Sequence, residues 1–428
     1  MVVGIVIGSG VFFKAPKVLI AAGSNVSVAL AAWVIGAVSM VFGALVFADC
    51  ASKVENANGL VDYAEEYVSE TFGALVGWFF AVMYYPALAA VLAWASGMYT
   101  SLLYENESIL WPATIFYAAL AAALNYFSPK LSGTFQVSTT VIKLVPLVVI
   151  SVMGIFLGLR NGVTVENFKV ATTALDQGSQ GFGKAVLATA FAYEGWVVAT
   201  TINNEIIDAK VNLKKALIYG SLFIFVIYVT YFLGIVGILP VSEVISEGNG
   251  AINRAANVVF GSFGATLLTI VVIISCLGTL NGCMIGSTRG LYGLAVRNRG
   301  PKPELFSRLN PKTLISNASA VFAFVLIGFY LVVWYGSFNG WWGQFLDISE
   351  LPITLIYGIY IVIYCFYMKK STDENFTKRF LIPTIALLGG LVVVSGGLLK
   401  SSIVLDLAIS IVVFSSGFLF IGKKEVKH

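Results

Sequence analysis

The chain has 428 residues, of which 58% are hydrophobic and 11% charged, and its mean hydropathy is +0.89. Because soluble domains carry about 25% charged residues, this composition indicates an integral membrane protein, and apolar stretches of about 20 residues predict helical spans rather than a transmembrane barrel. The net charge of +4 comes from lysines and arginines in short connections, so it predicts neither nucleic acid nor an acidic partner.

The apolar runs, taken in chain order, predict twelve membrane spans. Their approximate ranges are 1–22, 26–52, 73–103, 110–127, 134–159, 183–206, 214–239, 260–285, 315–336, 347–368, 380–399 and 403–422. Most lysines and arginines fall on the side that holds both termini. The positive-inside rule therefore predicts a multi-pass protein of the plasma (inner) membrane with both termini in the cytoplasm.

Two of these spans are interrupted near their middle. Residues 8–10 of the first span read Gly-Ser-Gly, and each glycine costs a helix interior about 1 kcal/mol relative to alanine. Residues 193–195 of the sixth span read Tyr-Glu-Gly. Because the interrupted spans lie five apart, they cross the membrane in opposite directions, which predicts an inverted repeat. The predicted units are residues 1–159, residues 183–368 and two further helices over residues 380–422.

A helix opened in this way exposes unpaired N–H groups at one new end and unpaired carbonyls at the other. An amino acid zwitterion matches both, since its carboxylate can accept from the N–H groups and its ammonium can donate to the carbonyls. The predicted substrate-binding residues are Ile7, Gly8, Ser9, Gly10, Val11, Phe191, Ala192, Tyr193, Glu194 and Gly195. The alternative for Gly8 and Gly10 is a small-residue packing face between helices.

Lys143 is the only charge deep inside a predicted span. At 1.5 Å rise per residue it lies about 14 Å below the start of the fifth span, near the middle of a ~30 Å core. Burial of a lysine there costs at least about 2.5 kcal/mol, so it is expected to face the interior and a partner, for which Ser275 and Thr279 are candidates. Snorkelling to the membrane surface is the alternative.

Other acidic side chains leave their roles open. Glu194 either faces the predicted site, where it would favour cationic substrates, or turns away and pairs with another group. Glu205 and Asp208 either close an inner gate against basic residues or belong to a solvated helix end. The basic residues in question are Arg289, Arg297 and Arg299.

The sequence predicts no metal site, no cofactor and no enzymatic activity. Its one histidine is His428, and the cysteines, which are interpreted as buried small apolar residues, are Cys50, Cys276, Cys283 and Cys365. Helical geometry separates Cys276 from Cys283 by about 10 Å, too far for a disulfide. Neither clustered acid–base residues nor pore-lining rings are present in the sequence, which disfavours an enzyme and a channel.

Several segments resemble one known family. Residues 4–12, GIVIGSGVF, resemble the first-helix signature of the amino acid–polyamine–organocation (APC) superfamily. Residues 191–196, FAYEGW, with 204–206 and 212–217, are similar to the sixth helix and its exit in the L-type amino acid transporter (LAT) branch. Residues 287–295, STRGLYGLA, resemble the exit of the eighth helix in that branch.

This resemblance implies an all-α, LeuT-like membrane fold with a five-plus-five inverted repeat, broken helices 1 and 6, and two additional C-terminal helices. It implies sodium-independent exchange of L-amino acids, for which small neutral ones, like alanine, serine or cysteine, are the leading hypothesis. Lys143 stands where sodium-coupled relatives bind an ion, and its ammonium is expected near Gly8. Alternatives are a proton-coupled symporter, an exchanger accepting cationic amino acids, and a membrane amino acid sensor.

One departure from the family bears on partners. Heteromeric animal relatives carry a cysteine between the third and fourth helices for a disulfide to an ancillary glycoprotein. The corresponding loop here, residues 103–108, reads LYENES and has no cysteine. A bacterial-type subunit that works without a disulfide-linked partner is therefore expected, with an L-amino acid as its ligand and the lipid bilayer around it.

Overall fold

The computed structural model describes residues 2–8, 10–54, 59–169, 178–206, 208–399 and 403–421, and within these ranges every regular element is helical. The α-helices, in chain order, are α1 (Val2–Val6), α2 (Gly10–Ala21), α3 (Val26–Lys53), α4 (Leu60–Tyr67), α5 (Glu70–Phe79), α6 (Tyr85–Leu103), α7 (Leu110–Phe127), α8 (Pro129–Asn161), α9 (Val163–Lys169), α10 (Gly178–Tyr193), α11 (Ala209–Ile238), α12 (Val241–Glu247), α13 (Ala251–Ala295), α14 (Pro303–Phe306), α15 (Asn317–Phe338), α16 (Glu350–Lys370), α17 (Ile382–Leu398) and α18 (Ile403–Phe418). Phe80–Tyr84 and Thr377–Leu381 are π-helical, and Trp196–Glu205 is a 3-10 helix.

Nine helical stretches in the described part of the chain are long and apolar enough to cross a membrane. They are Val26–Lys53, Glu70–Leu103, Glu107–Phe127, Leu131–Asn161, Val211–Ile238, Val241–Ala295, Asn317–Phe338, Glu350–Lys370 and Thr377–Leu398. Each overlaps a predicted span; the first, sixth and last predicted spans are the ones without such a stretch, and the last holds the shorter helix α18. The chain is a multi-pass membrane protein, while the twelve-span inverted repeat stays a prediction.

The first and sixth predicted spans are both split. α1 ends at Val6 and α2 begins at Gly10, while Ser9 lies outside the described residues. α10 ends at Tyr193, and the 3-10 helix begins at Trp196. Between them Gly195 has φ +103°, a conformation that glycine adopts readily because it lacks a Cβ. Both interruptions lie at the predicted positions.

The split spans pack among the long helices. α1 contacts α8, α11, α13 and the 3-10 helix, and α10 contacts α2, α3 and α17. Gly10 lets α2 approach α10, since a Cβ on Gly10 would lie 2.8 Å from the Cα of Ala192. α8 and α11 also meet at glycines: a Cβ on Gly154 would lie 2.2 Å from the carbonyl oxygen of Gly234. Small residues at such contacts let membrane helices pack backbone to backbone.

The cysteines are placed as predicted with one exception. Three are buried, but Cys365 in α16 is exposed, so its predicted burial is wrong. α16 turns a stripe of tyrosines inward, of which Tyr357, Tyr360 and Tyr364 are buried. Cys365 follows that stripe by one residue, which rotates it by about 100° around the helix and out of the packed face.

Candidate functional site

A cavity of about 40 Å³ lies between the two helix breaks. Its wall combines residues of both breaks with residues of the turn before α6, of α6 itself, of the 3-10 helix and of α13. The lining residues are Ile5, Val6, Gly8, Gly10, Tyr84, Leu88, Leu92, Phe191, Ala192, Glu194, Gly195, Val198, Thr279, Gly282 and Cys283. Since one water molecule needs roughly 10–15 Å³ of such space, the cavity in this conformation has room for about three.

Most of the predicted substrate-binding residues meet at this cavity. Those that line it are Gly8, Gly10, Phe191, Ala192, Glu194 and Gly195. Ile7, Val11 and Tyr193 are buried without lining it, and Ser9 lies outside the described residues. Sequence reasoning missed the wall formed by the apolar side chains of Leu88, Leu92 and Cys283. These residue types are common in any span, so no local signal marks them as cavity residues.

Lys143, on α8, contacts α1 next to the first break. Its side chain is fully buried, and its ammonium donates a hydrogen bond to the backbone carbonyl of Gly4. The last carbonyls of a helix lack intrahelical partners and carry partial negative charge, so they favour a cation. The contact lies about one turn before the expected position near Gly8. The reason is the packing of α8, because a Cβ on Gly4 would lie 2.2 Å from Thr140 Oγ1.

The two hydroxyls considered as partners of Lys143 make no hydrogen bond to it. Thr279 Oγ1 donates back to the carbonyl of Ser275 in its own helix, at 3.4 Å. Ser275 Oγ has no hydrogen-bond partner among the described residues. Bonding to a carbonyl one turn back is the usual alternative for a hydroxyl in an apolar helix, and Thr279 takes it.

Tyr228 is a second side chain that contacts α1 at the first break, and the sequence did not identify it. Its hydroxyl donates to the carbonyl of Val6, the last residue of α1, over 2.8 Å. Its ring centroid lies 5.1 Å from that of Tyr193, the last residue of α10. This side chain therefore contacts both interrupted helices. A buried tyrosine in an apolar span needs a partner for its hydroxyl, and that requirement is the signal that could have identified it.

Glu194 anchors the second break through its own side chain. Its buried carboxylate oxygen Oε1 accepts hydrogen bonds from the hydroxyls of Tyr84, at 3.0 Å, and Tyr360, at 2.8 Å. The carboxylate thus pairs with other groups, as one of the two sequence alternatives holds, and the residue also borders the cavity. Hydrogen bonds to a charged group contribute about 1.5–3 kcal/mol each, which offsets part of the cost of burying a carboxylate.

A buried ion pair ties α2 to the loop before α16. Lys14 is 1% exposed, and its ammonium lies 3.4 Å from both Asp347 Oδ2 and Ser349 Oγ. It also lies 4.5 Å from the ring centroid of Phe191, which lines the cavity. Lys14 is therefore a second buried cation inside a predicted span, besides Lys143. The acidic partner of Lys14 is 333 residues away, so no local pattern reveals it.

A cluster of ion pairs joins α4 to the residues that follow α13. Arg297 pairs with Asp62 and, over 2.9 Å, with Glu65, and Glu65 also pairs with Arg299. Burial opposes the charge of Arg297, but the carboxylates of Asp62 and Glu65 outweigh it and raise the pKa of this guanidinium. Arg297 therefore stays charged, and the ion pairs hold α4 on the end of α13.

The inner gate considered in the sequence analysis would pair these arginines with Glu205 and Asp208. Asp208 is exposed at the start of α11, and the side chain of Glu205 lies outside the described part of the structure. In the described residues Arg297 pairs with Asp62 and Glu65 of α4, and Arg299 pairs with Glu65. α4 also packs on the 3-10 helix, since a Cβ on Gly59 would lie 2.1 Å from Thr200 Oγ1.

Comparison with known proteins places this arrangement in a family. The chain is 28% identical to the serine/threonine exchanger SteT of Bacillus subtilis over 385 residues, which cover 90% of this chain and 84% of that protein. It is 27% identical to the human large neutral amino acids transporter small subunit 2, covering 73% of this chain and 58% of that protein.

The mouse b(0,+)-type amino acid transporter 1 is 22% identical over 397 residues, which cover 91% of this chain and 78% of that protein. The sequence profile of the amino acid permease family matches residues 1–421, close to the whole chain. The helical membrane-spanning architecture and the split first and sixth spans agree with that match. The chain belongs to the amino acid permease family of the APC superfamily and is related to its LAT-type transporters.

Proposed function

We propose that this protein is a sodium-independent secondary transporter that exchanges L-amino acids, chiefly small neutral ones, by alternating access. The observation that carries the proposal is the cavity bounded by both helix breaks. Breaks in corresponding helices of an inverted repeat are where secondary transporters bind substrate, near the membrane midplane. Relatives named as a serine/threonine exchanger and as amino acid transporters support the substrate class.

The backbone end of the substrate is assigned to the breaks themselves. Its carboxylate would accept from the N–H groups at the start of α2, around Ser9, Gly10 and Val11, and its ammonium would donate to carbonyls near Ile7 and near residues 191–194. This assignment uses groups that every L-amino acid shares. The α-carbon end therefore contributes affinity without selecting among side chains.

The side-chain end is assigned to the apolar wall. Leu88, Leu92 and Cys283 offer no charge to a substrate side chain. Glu194 has one carboxylate oxygen, Oε1, engaged by two tyrosine hydroxyls, while Oε2 has no hydrogen-bond partner among the described residues. The apolar wall favours a small neutral side chain over a cationic one. A cavity of about 40 Å³ must widen even for such a substrate, so substrate binding requires movement of the surrounding helices.

Lys143 is proposed to replace a coupling cation. Its ammonium lies against the carbonyl end of α1, where a bound sodium ion would otherwise act, and this supports transport that needs no sodium. Movement of α8 during the cycle would carry the ammonium away from Gly4 and free α1. We further propose that both termini are cytoplasmic and that the protein works without a disulfide-linked partner.

Counterflow in proteoliposomes tests the proposal. Proteoliposomes that contain the purified protein and trapped L-alanine are expected to take up external labelled L-alanine, with or without sodium and without a pH gradient. Proteoliposomes that contain the protein but no internal amino acid are expected to show no uptake when only a pH gradient is applied. Accumulation in that second preparation would establish the proton-coupled alternative instead. Binding of labelled L-alanine without any flux would establish a sensor. Competition by L-serine and L-cysteine but not L-arginine is the expected specificity.

A further inference from the structure

A buried polar cluster joins the start of α8 to α7 and α13, and none of its members lines the cavity. Its members are Asn125 of α7, Ser132 of α8 and Asn281 of α13, which are 2%, 1% and 1% exposed. Asn281 Oδ1 accepts from Asn125 Nδ2 and from Ser132 Oγ, both at 2.9 Å. Asn281 Nδ2 donates to the backbone carbonyl of Ser132 at 3.0 Å.

The cluster satisfies its own polar groups. Asn125 Nδ2 also donates to the carbonyl of Ala121 at 2.8 Å, and Ser132 Oγ lies 3.1 Å from Asn125 Oδ1. Buried amides cost free energy unless they are hydrogen-bonded, so three helices must meet in one arrangement to keep these bonds. In a low-dielectric interior such a network is strong and specific in geometry. It fixes the position of α8 on α13.

The same helix face leads from this cluster to Lys143. Thr139 packs on Gly278 of α13, where an added Cβ would lie 2.5 Å from Thr139 Oγ1. The Lys143 ammonium would lie 3.5 Å from that Cβ, and it bonds to the carbonyl of Gly4. α8 therefore runs along α13 from Ser132 to Lys143 as one continuous helix, so a shift at its start is expected to move the ammonium relative to α1.

We propose that Asn281 is a positioning residue for Lys143: by fixing the start of α8 on α13, it holds the ammonium at the Gly4 carbonyl and so holds α1 at the first break. The consequence for transport rests on the proposed function, but the effect on α1 does not. Loss of Asn281 weakens the hold on α1 by way of Lys143, without any contact between Asn281 and the cavity.

Hydrogen exchange in the full-length protein, reconstituted in lipid nanodiscs without substrate, tests this link. The peptide that covers residues 2–8 is followed by mass spectrometry in the wild type, Asn281→Ala, Lys143→Ala and the double variant. Each single variant is expected to exchange this peptide about tenfold faster, and the double variant no faster than Lys143→Ala alone.

Asn167→Ala is the matched control. Asn167 is similarly buried and makes three hydrogen bonds, to the carbonyls of Val236 and Leu239 and from the amide of Val241. Its loss is expected to lower the melting temperature while leaving exchange of residues 2–8 unchanged. Should Asn281→Ala fail to fold, Ser132→Ala, which removes a hydroxyl but keeps the backbone carbonyl bonded to Asn281, replaces it.

Three results would overturn the inference: additive effects in the double variant, unchanged exchange of residues 2–8 in Asn281→Ala, or the same acceleration in Asn167→Ala. Counterflow of L-alanine is measured on the same preparations. If exchange of residues 2–8 behaves as expected but the wild type gives no counterflow, the proposed transport of alanine fails and the positioning role stands.

Discussion

The two helix breaks are held in different ways. At the first break the backbone itself is the acceptor: carbonyls of α1 take hydrogen bonds from Lys143 on α8 and Tyr228 on α11. At the second break the acceptor is a side chain of the break, since the Glu194 carboxylate takes hydrogen bonds from Tyr84 and Tyr360. The first break thus contributes only backbone carbonyls to its contacts, whereas the second break contributes the side chain of Glu194.

This difference has a mechanical consequence. The groups that hold α1 lie on two long helices, so a shift of α8 or α11 releases α1 without breaking any bond inside the first span. The second break stays attached to its neighbours for as long as Glu194 accepts from both tyrosines. We therefore expect the first break to be the more mobile of the two.

Gly10→Ala is expected to have the largest effect, because it acts on both breaks at once. The new Cβ would lie 2.8 Å from the Cα of Ala192, and backbone cannot yield as a flexible side chain can. L-alanine counterflow is expected to fall at least about a hundredfold, or the protein to lose stability, since overpacking commonly costs about 1–3 kcal/mol or more. Gly133→Ala, where the added Cβ meets nothing within 4 Å, is the control and should be near wild type.

Lys143→Ala comes next and removes the cationic brace of the first break. Hydrogen bonds to charged groups contribute about 1.5–3 kcal/mol, so counterflow is expected to fall about 10- to 100-fold while the protein still folds. Lys184→Ala, which removes an exposed lysine from α10, is the control and is expected to leave counterflow nearly unchanged. Normal uptake by the Lys143 variant, measured at equal protein in the liposomes, would contradict the proposed coupling role.

Glu194→Gln tests the anchor of the second break. Glutamine keeps a carbonyl oxygen for the hydroxyls of Tyr84 and Tyr360 but loses the charge, so we expect a loss of about 1–2 kcal/mol and roughly tenfold slower counterflow. Glu194→Ala is expected to slow counterflow further, because the hydroxyls of both tyrosines lose their acceptor. L-arginine competition in the wild type that disappears in Glu194→Gln would instead mean that the carboxylate recognises cationic substrates.

The sequence predicts the breaks well because the signal for each is local. A glycine pair around a serine, and a Glu-Gly step, stand out inside runs of apolar residues, and the structure interrupts both spans there. Lys143 is predictable in the same way, since a charge about 14 Å into an apolar run must be buried and partnered. The carbonyl that accepts from Lys143, that of Gly4, could not be predicted, because it depends on how α8 is placed along α1.

The remaining features depend on packing between distant segments. Lys14 has the same residue type as Lys143 and lies inside α2, and its burial depends on Asp347. Arg297 had several acidic candidates in the sequence, and the position of α4 selects Asp62 and Glu65. The tertiary structure determines which residues form these ion pairs. Composition and spacing can therefore suggest that an ion pair exists without identifying its two residues.

Tyr228→Phe is expected to have the smallest effect on counterflow, and it tests the first break alone. It removes the hydrogen bond to the Val6 carbonyl while keeping the ring that packs on Tyr193, so it weakens the first break and leaves the second intact. One neutral hydrogen bond contributes about 0.5–1.5 kcal/mol, so we expect counterflow of L-alanine to fall about fivefold.

Tyr231→Phe is the matched control on the same helix. Tyr231 is also buried, and its hydroxyl has no hydrogen-bond partner among the described residues, so its removal should be neutral. If the two variants behave alike, the hydroxyl of Tyr228 does not hold α1. If only Tyr228→Phe slows counterflow, and does so less in a Lys143→Ala background, the two side chains act together on one movable helix end.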